Sequence, residues 1–119
     1  MANQICHFEF MCNDVAKAKE FYGKVFDWSF EDTVEPMPYT MIRTGTAPEG
    51  GMMAKPPEAP MPALNVYFEV DDVAATLEKA TQAGGQIIVP PTEIPQIGTM
   101  GFFTDPDGIA VAVWQQLKK

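Results

Sequence analysis

His7-Phe-Glu-Phe-Met-Cys-Asn-Asp-Val-Ala16 and Asn65-Val-Tyr-Phe-Glu-Val-Asp-Asp-Val-Ala74 read as one stretch written twice, 58 positions apart. Phe10 aligns with Phe68, Asp14 with Asp72, Val15 with Val73 and Ala16 with Ala74, and the other positions mostly keep their apolar or polar character. A repeat constrains architecture more than any single motif, because each copy must form the same supersecondary unit. In each copy an alternating run passes through Asp to an apolar pattern of helical spacing, which reads as strand, N-cap and helix.

Working outward, residues 4–12 (QICHFEFMC) form the first strand, and Asn13 or Asp14 caps a helix whose stripe is Val15, Ala18, Tyr22 and Val25, widened by Phe21 and Phe26. Lys17, Lys19 and Lys24 face outward. Trp28–Phe30, Tyr39–Thr44 and Gly51–Ala54 read as three further strands. Residues 55–62 (KPPEAPMP) carry four prolines and no periodicity, so they form a linker. The second copy then runs Leu64–Val70 as strand and Val73–Ala83 as helix, capped by Asp71 or Asp72 and stopped by Gly84-Gly85. Ile87–Val89, Thr99–Thr104 and Ile109–Trp114 complete it, with a turn at Asp105–Gly108 and a loop over Pro90–Gly98. Each half is thus β-α-β-β-β. The expectation is an α+β fold in one domain over 1–119: module 1 at 1–55, linker 56–62 and module 2 at 63–119. The two modules form a curved, mostly antiparallel eight-stranded sheet with outer helices.

Composition narrows the function classes. The chain has 119 residues, 46% of them hydrophobic and 20% charged, as in ordinary globular proteins. Its length buries roughly 65% of the unfolded surface. Net charge is −8, and one arginine with seven lysines does not build the basic face of a nucleic-acid binder. No apolar run reaches the ~20 residues that cross a bilayer, so no membrane partner is expected. The opening MANQICHFEF lacks a basic region and cleavage site. Cys6 and Cys12 lie on one strand, roughly 20 Å apart at ~3.3 Å per residue, beyond disulfide reach. Reduced thiols and a cytoplasmic location are expected.

The paired βαβββ unit resembles the vicinal oxygen chelate superfamily of glyoxalase I, bleomycin-resistance proteins and extradiol dioxygenases. His7, Asp14-Val15 and Lys19-Glu-Phe-Tyr-Gly-Lys-Val-Phe-Asp-Trp28 are similar to its opening strand and helix. Phe68-Glu-Val-Asp-Asp72, with the helix ending at Ala83-Gly-Gly85, is similar to the second, and Phe103-Thr-Asp-Pro-Asp-Gly108 to its last hairpin. The resemblance implies the fold but no one activity, since sites grafted on this fold run many chemistries. In metal-dependent members the ligands come from the first and last strands of each module. Carried over, those positions are His7, Ala54, Asn65 and Ala112, the second of these placed only to within a residue. One imidazole and one amide do not hold zinc, nickel or iron against water, and His7 is the only histidine in the chain. No metal ligands and no cofactor are therefore expected.

Period-two alternation fixes facing. With His7 pointing into the cavity, Ile5, Glu9 and Met11 follow it, while Phe8, Phe10 and Cys12 pack under the helix. Asn65, Tyr67 and Glu69 point inward in the second copy, as do Ala110, Ala112 and Trp114 on the last strand. A concave apolar surface with a few convergent polar groups suits a small molecule, so His7, Glu9, Asn65, Tyr67, Glu69, Ala112 and Trp114 are the candidate ligand-binding residues. The plainer alternative makes His7 a hydrogen-bonded core imidazole, Glu9 and Glu69 solvated carboxylates, and Trp28 and Trp114 core or dimer-interface residues.

Two functions compete, and whether the chain is an enzyme stays open. One is sequestration of a small organic molecule, cationic or aromatic, in a metal-free cavity without redox chemistry. The other is a glyoxalase-like lyase or isomerase, with or without a divalent metal, in which Glu9 or His7 is the catalytic general base. Against the second, no group is evident to stabilise an enolate; Arg43, the single arginine, lies on a middle strand. Nothing speaks for a purely structural partner protein. The resemblance also implies a homodimer.

Overall fold

The computed structural model describes residues 3–34 and 37–117. The chain folds as two compact units, His7–Asn65 and the described part of Met1–Cys6 with Val66–Lys119. The elements follow the expected order: β1 (Ile5–Cys12), α1 (Val15–Val25), β2 (Ser29–Thr33), β3 (Tyr39–Arg43), β4 (Gly50–Ala54), β5 (Ala63–Glu69), α2 (Val73–Gln82), β6 (Gln86–Ile94), β7 (Gly98–Thr104) and β8 (Ala110–Gln116). The strands lie in the order β2-β3-β4-β1 in one module and β5-β8-β7-β6 in the other. Pairing is antiparallel except for β1 with β4 and β5 with β8, which run parallel. The fold is α+β with mixed sheet, as the repeat requires.

Both helices begin where the duplicated aspartate sits. Asp14 Oδ1 accepts from the Lys17 amide at 3.1 Å, and Asp72 Oδ1 from the Ala75 amide at 3.0 Å. Each satisfies a donor that the first helical turn leaves without a partner. α2 is stopped by Gly84 beyond its Ala83 cap, at a φ of +105° that only glycine adopts readily, and the Gly85 amide donates back to the Ala80 carbonyl at 2.8 Å.

The two helices seat differently. α2 buries Val73 and Leu77 against Val70 and Val113, with Phe103 packed on them. Gly101 on β7 permits that approach, since a Cβ there would lie 2.9 Å from Val73 and 3.0 Å from Leu77. α1 buries no residue fully and rests on rings instead: Phe10 lies 4.8 Å from Tyr22, and Trp28 5.8 Å from Phe8 and 4.6 Å from Phe26. Trp28 is thus part of the helix-side packing and precedes β2, which starts one residue later than the sequence suggests. Lys19 ties α1 to β2 through Asp32 at 2.9 Å, and the Thr40 hydroxyl donates to Asp32 at 2.7 Å. Phe21 and Val25 of the predicted stripe are more than half exposed.

One expectation needs correcting. The segment 90–98 is only partly loop, because β6 continues through Pro90 and Pro91 to Ile94. Its ladder with β7 slips register between Ile87 and Val89 and again between Val89 and Thr92. Prolines fit a strand where such slips remove the need for an N–H donor.

Candidate functional site

β1 alternates as expected. Phe8 and Phe10 face α1, while His7 and Glu9 project from the opposite face of the strand. The structure brings these two together through a residue that the sequence reading did not single out. Tyr39, at the start of β3, donates its hydroxyl to Glu9 Oε2 at 2.8 Å, and His7 Nε2 lies 2.8 Å from the Tyr39 hydroxyl oxygen. The His7 and Tyr39 rings stack with centroids 6.3 Å apart. Glu9 is only 6% exposed, yet it sits in a hydrogen-bonded arrangement, as a buried carboxylate must.

Strand register explains how Tyr39 arrives there. Parallel pairing sets Glu9 opposite Gly51, and antiparallel pairing sets Met41 opposite Gly51. Residues 39, 41, 51 and 53 therefore share the face of His7 and Glu9. Gly51 has no side chain, and the Tyr39 ring lies where a Cβ at that position would be. A glycine inside a strand marks such a close approach. On the other face, Phe8 lies over Gly50 in the same manner.

Burial pushes the His7 imidazole below its usual 6.5, and a hydrogen bond at the Glu49 backbone pulls less strongly upward. The neutral ring is therefore favoured near pH 7, and a neutral ring accepts a proton. Arg43 does not serve an oxyanion. Its guanidinium bridges Glu31 at 2.9 Å and Glu49 at 3.2 Å, and Glu49 also accepts from the Thr44 and Gly45 amides.

In the other unit, Tyr67 and Ala112 are opposite one another, as are Glu69 and Trp114, so all four share a face. Tyr67 is 5% exposed and meets Phe102 edge to face at 5.7 Å, and Ala112 is buried. Trp114 is half-buried, with its ring over Gly98. Asn65 is half-buried on β5. Cys6 and Cys12 are free thiols, and burial raises both; Glu69 adds to the rise at Cys6. On the α2 side of this unit a groove of about 470 Å³ opens between Phe68, Val70, Phe103, Val111 and Val113, rimmed by Asp71, Asp72 and Lys79.

The register also moves one of the four positions that the resemblance assigns to a metal. Ala54 pairs with Cys12 on the helix-facing side. The residue opposite Glu9, as Ala112 is opposite Tyr67, is Gly51. The offset of 58 holds for the strand–helix pair but becomes 61 at the last strand, because the second module carries three more residues before it. The donor set does not fit a divalent ion. Gly51 supplies nothing, and the space its side chain would enter is filled by a phenol that also engages His7 and Glu9. Among the described residues, no three His, Cys, Asp or Glu side chains gather to hold a metal. No described helix is long and apolar enough to cross a membrane.

Comparison with known proteins agrees with this architecture. Residues 4–113 match the family model of the Glyoxalase/Bleomycin resistance protein/Dioxygenase superfamily. A glyoxylase-like domain-containing protein of Didymella fabae is 31% identical over 117 residues, covering 92% of this chain and 91% of that one. The putative glyoxylase CFP32 of Mycobacterium tuberculosis is 38% identical over 110 residues, 86% of this chain but 41% of that protein. The anthracycline biosynthesis protein DnrV of Streptomyces peucetius is 32% identical over 127 aligned positions, 92% of this chain and 46% of that one. The chain thus spans less than half the length of these last two relatives. Among solved structures, methylmalonyl-CoA epimerase from Mycobacterium tuberculosis superposes with a TM-score of 0.71 at 14% identity, covering 96% of this chain and 88% of that one. The Mn(II)-bound glyoxalase from Novosphingobium aromaticivorans superposes at 0.63 with 18% identity, covering 95% and 38%. At such identities the likeness is one of fold.

Proposed function

The chain belongs to the Glyoxalase/Bleomycin resistance protein/Dioxygenase superfamily, and from that premise we propose that it binds a small organic molecule without a metal and without redox chemistry. The observation that carries this reading is the His7–Tyr39–Glu9 arrangement, a part-buried polar cluster that includes the buried Glu9 carboxylate. Such a cluster orients a ligand by hydrogen bonds while the surrounding apolar surface supplies affinity. A planar aromatic or cationic ligand suits an acidic, aromatic-rich chain, and one relative's name places that protein in anthracycline biosynthesis. Asn65 is a further polar residue of the unit that holds this cluster, and in the other unit the half-buried Trp114 is by itself a flat aromatic surface that shares its face with Glu69. The protein acts in the cytoplasm as a homodimer, for which the exposed Phe21 and Val25 on α1 offer apolar area. Light scattering giving a mass near twice 13.1 kDa tests the pairing.

A thermal-shift screen on chelator-treated protein tests the binding. A ligand at a hundred times its dissociation constant stabilises by about 2.7 kcal/mol, a shift of several degrees. Stabilisation by planar aromatic or cationic compounds, lost in His7→Ala and unaccompanied by turnover, supports the proposal. One equivalent of tightly held metal, lost with His7, refutes it.

A lyase or isomerase of the glyoxalase type is the second reading. The burial that keeps His7 uncharged favours it, because the Glu9 carboxylate then has no imidazolium cation beside it and is competent to take a proton from carbon. It ranks second because Arg43 is already engaged by two glutamates and is not available to an enolate. Turnover of a hemithioacetal or of a carbon acid α to a carbonyl, abolished in Glu9→Gln, would reverse the order.

A further inference from the structure

We infer that Tyr39 is the residue that excludes metal from this site, its phenol standing where a side chain at position 51 would have supplied the missing ligand. The inference rests on the metal-free reading above and deepens it by naming the side chain responsible. Three observations converge. Gly51 is buried and lies opposite Glu9, on the face that carries His7. Any Cβ there would run into the Tyr39 ring. The Tyr39 hydroxyl is 2.8 Å from both His7 Nε2 and Glu9 Oε2, so it occupies the point at which those two groups converge.

The chemistry separates a phenol from an ion at that point. A divalent metal draws imidazole nitrogen and carboxylate oxygen to ~2.0–2.2 Å and needs three or four such donors. The Tyr39 hydroxyl, which donates to Glu9 and meets His7 Nε2, is instead a hydrogen-bonding bridge. An ion would have to displace the ring and would find two protein donors in its place. Tyr39 is thus a positioning residue. It holds His7 and Glu9 each at hydrogen-bonding distance from its own hydroxyl and reserves the face for ligands recognised through hydrogen bonds instead of chelation.

Calorimetric titration of chelator-treated protein with Zn²⁺ and Mn²⁺ tests this, with NMR of the single imidazole as the second readout. Wild type and Tyr39→Phe, which keeps the ring, should take up neither ion stoichiometrically, while the His7 ring signals of Tyr39→Phe shift because the hydroxyl is gone. The double variant Tyr39→Ala/Gly51→Glu adds a carboxylate and removes the ring. It should bind one Zn²⁺ about a hundredfold tighter than wild type, with the His7 signals perturbed and the gain lost on adding His7→Ala. Should the double variant not fold, Tyr39→Ala alone is expected to bind Zn²⁺ about tenfold tighter than Tyr39→Phe. Stoichiometric binding by wild type, seen at His7, overturns both this inference and the metal-free reading. Folded Tyr39→Ala variants that bind no better than wild type overturn only the role given to Tyr39.

Discussion

Gly51→Ala should destabilise the protein, although alanine is normally the better residue in an ordered strand. Gly51 has no left-handed backbone requirement, so the substitution by itself should recover roughly 0.5–1 kcal/mol of backbone entropy. The new methyl group, however, meets the Tyr39 ring at a buried strand position. Overpacking of that kind costs roughly 1–3 kcal/mol. Displacing the ring also breaks the contacts from Tyr39 to His7 and Glu9, at about 1 kcal/mol each. The net loss is about 2–4 kcal/mol, a fall of roughly 8–16 °C in Tm for a chain of this size. Urea denaturation of wild type, Gly51→Ala, Tyr39→Ala and the double variant closes a thermodynamic cycle. Once the ring is gone the added methyl should be neutral or mildly stabilising, so the coupling should approach the whole loss. A coupling below about 0.5 kcal/mol would mean that Tyr39 does not lie over Gly51, and the account of the site would fall.

Other outcomes follow from the same geometry. Asp14→Ala and Asp72→Ala should each cost about 1 kcal/mol by denaturant titration, whereas the asparagine variants, which still accept the amide bond, should cost little. The lone imidazole should titrate by NMR with a midpoint below 6.5. Because folding depresses that value, the unfolded chain takes the proton first. Stability that is full above pH 6.5 should therefore decline as the pH falls through the folded midpoint, and a midpoint at or above 6.5 contradicts burial of His7. Leu77→Ala should cost roughly 2–5 kcal/mol, since Leu77 is 1% exposed between Val73 and Val113, and a loss under 1 kcal/mol would refute that packing.

The parts legible in the sequence were those set by local periodicity. Alternation in residues 4–12 placed His7 and Glu9 on one face and Phe8 and Phe10 on the other, and the duplicated aspartates located both helix starts. The repeat points to Ala54 instead of Gly51 because a repeat transfers positions only as far as its loops are equal in length. Three extra residues before β8 break the equivalence, and only strand register restores it. The sequence ends β6 before Pro90 because proline reads as a breaker unless a bulge relieves it. Tyr39 was missed for a different reason. Its strand was recognised, but the side it faces depends on which strand pairs with it, a non-local fact. The available signal was Gly50-Gly51 at the start of β4, two small residues in a strand, each with an aromatic ring laid across it.

β6 hydrogen-bonds to one neighbour, β7, and leaves Ile87 and Ile88 exposed. An apolar strand with an open margin ordinarily invites another polypeptide to extend it into a fibril. Pro90 and Pro91 leave this stretch without two consecutive amide donors, and the register slips bend the strand, so an incoming chain meets no continuous ladder to copy. The same prolines that disguise this segment as a loop therefore act as gatekeepers against aggregation, and replacing both with threonine should make concentrated protein prone to amyloid-like growth.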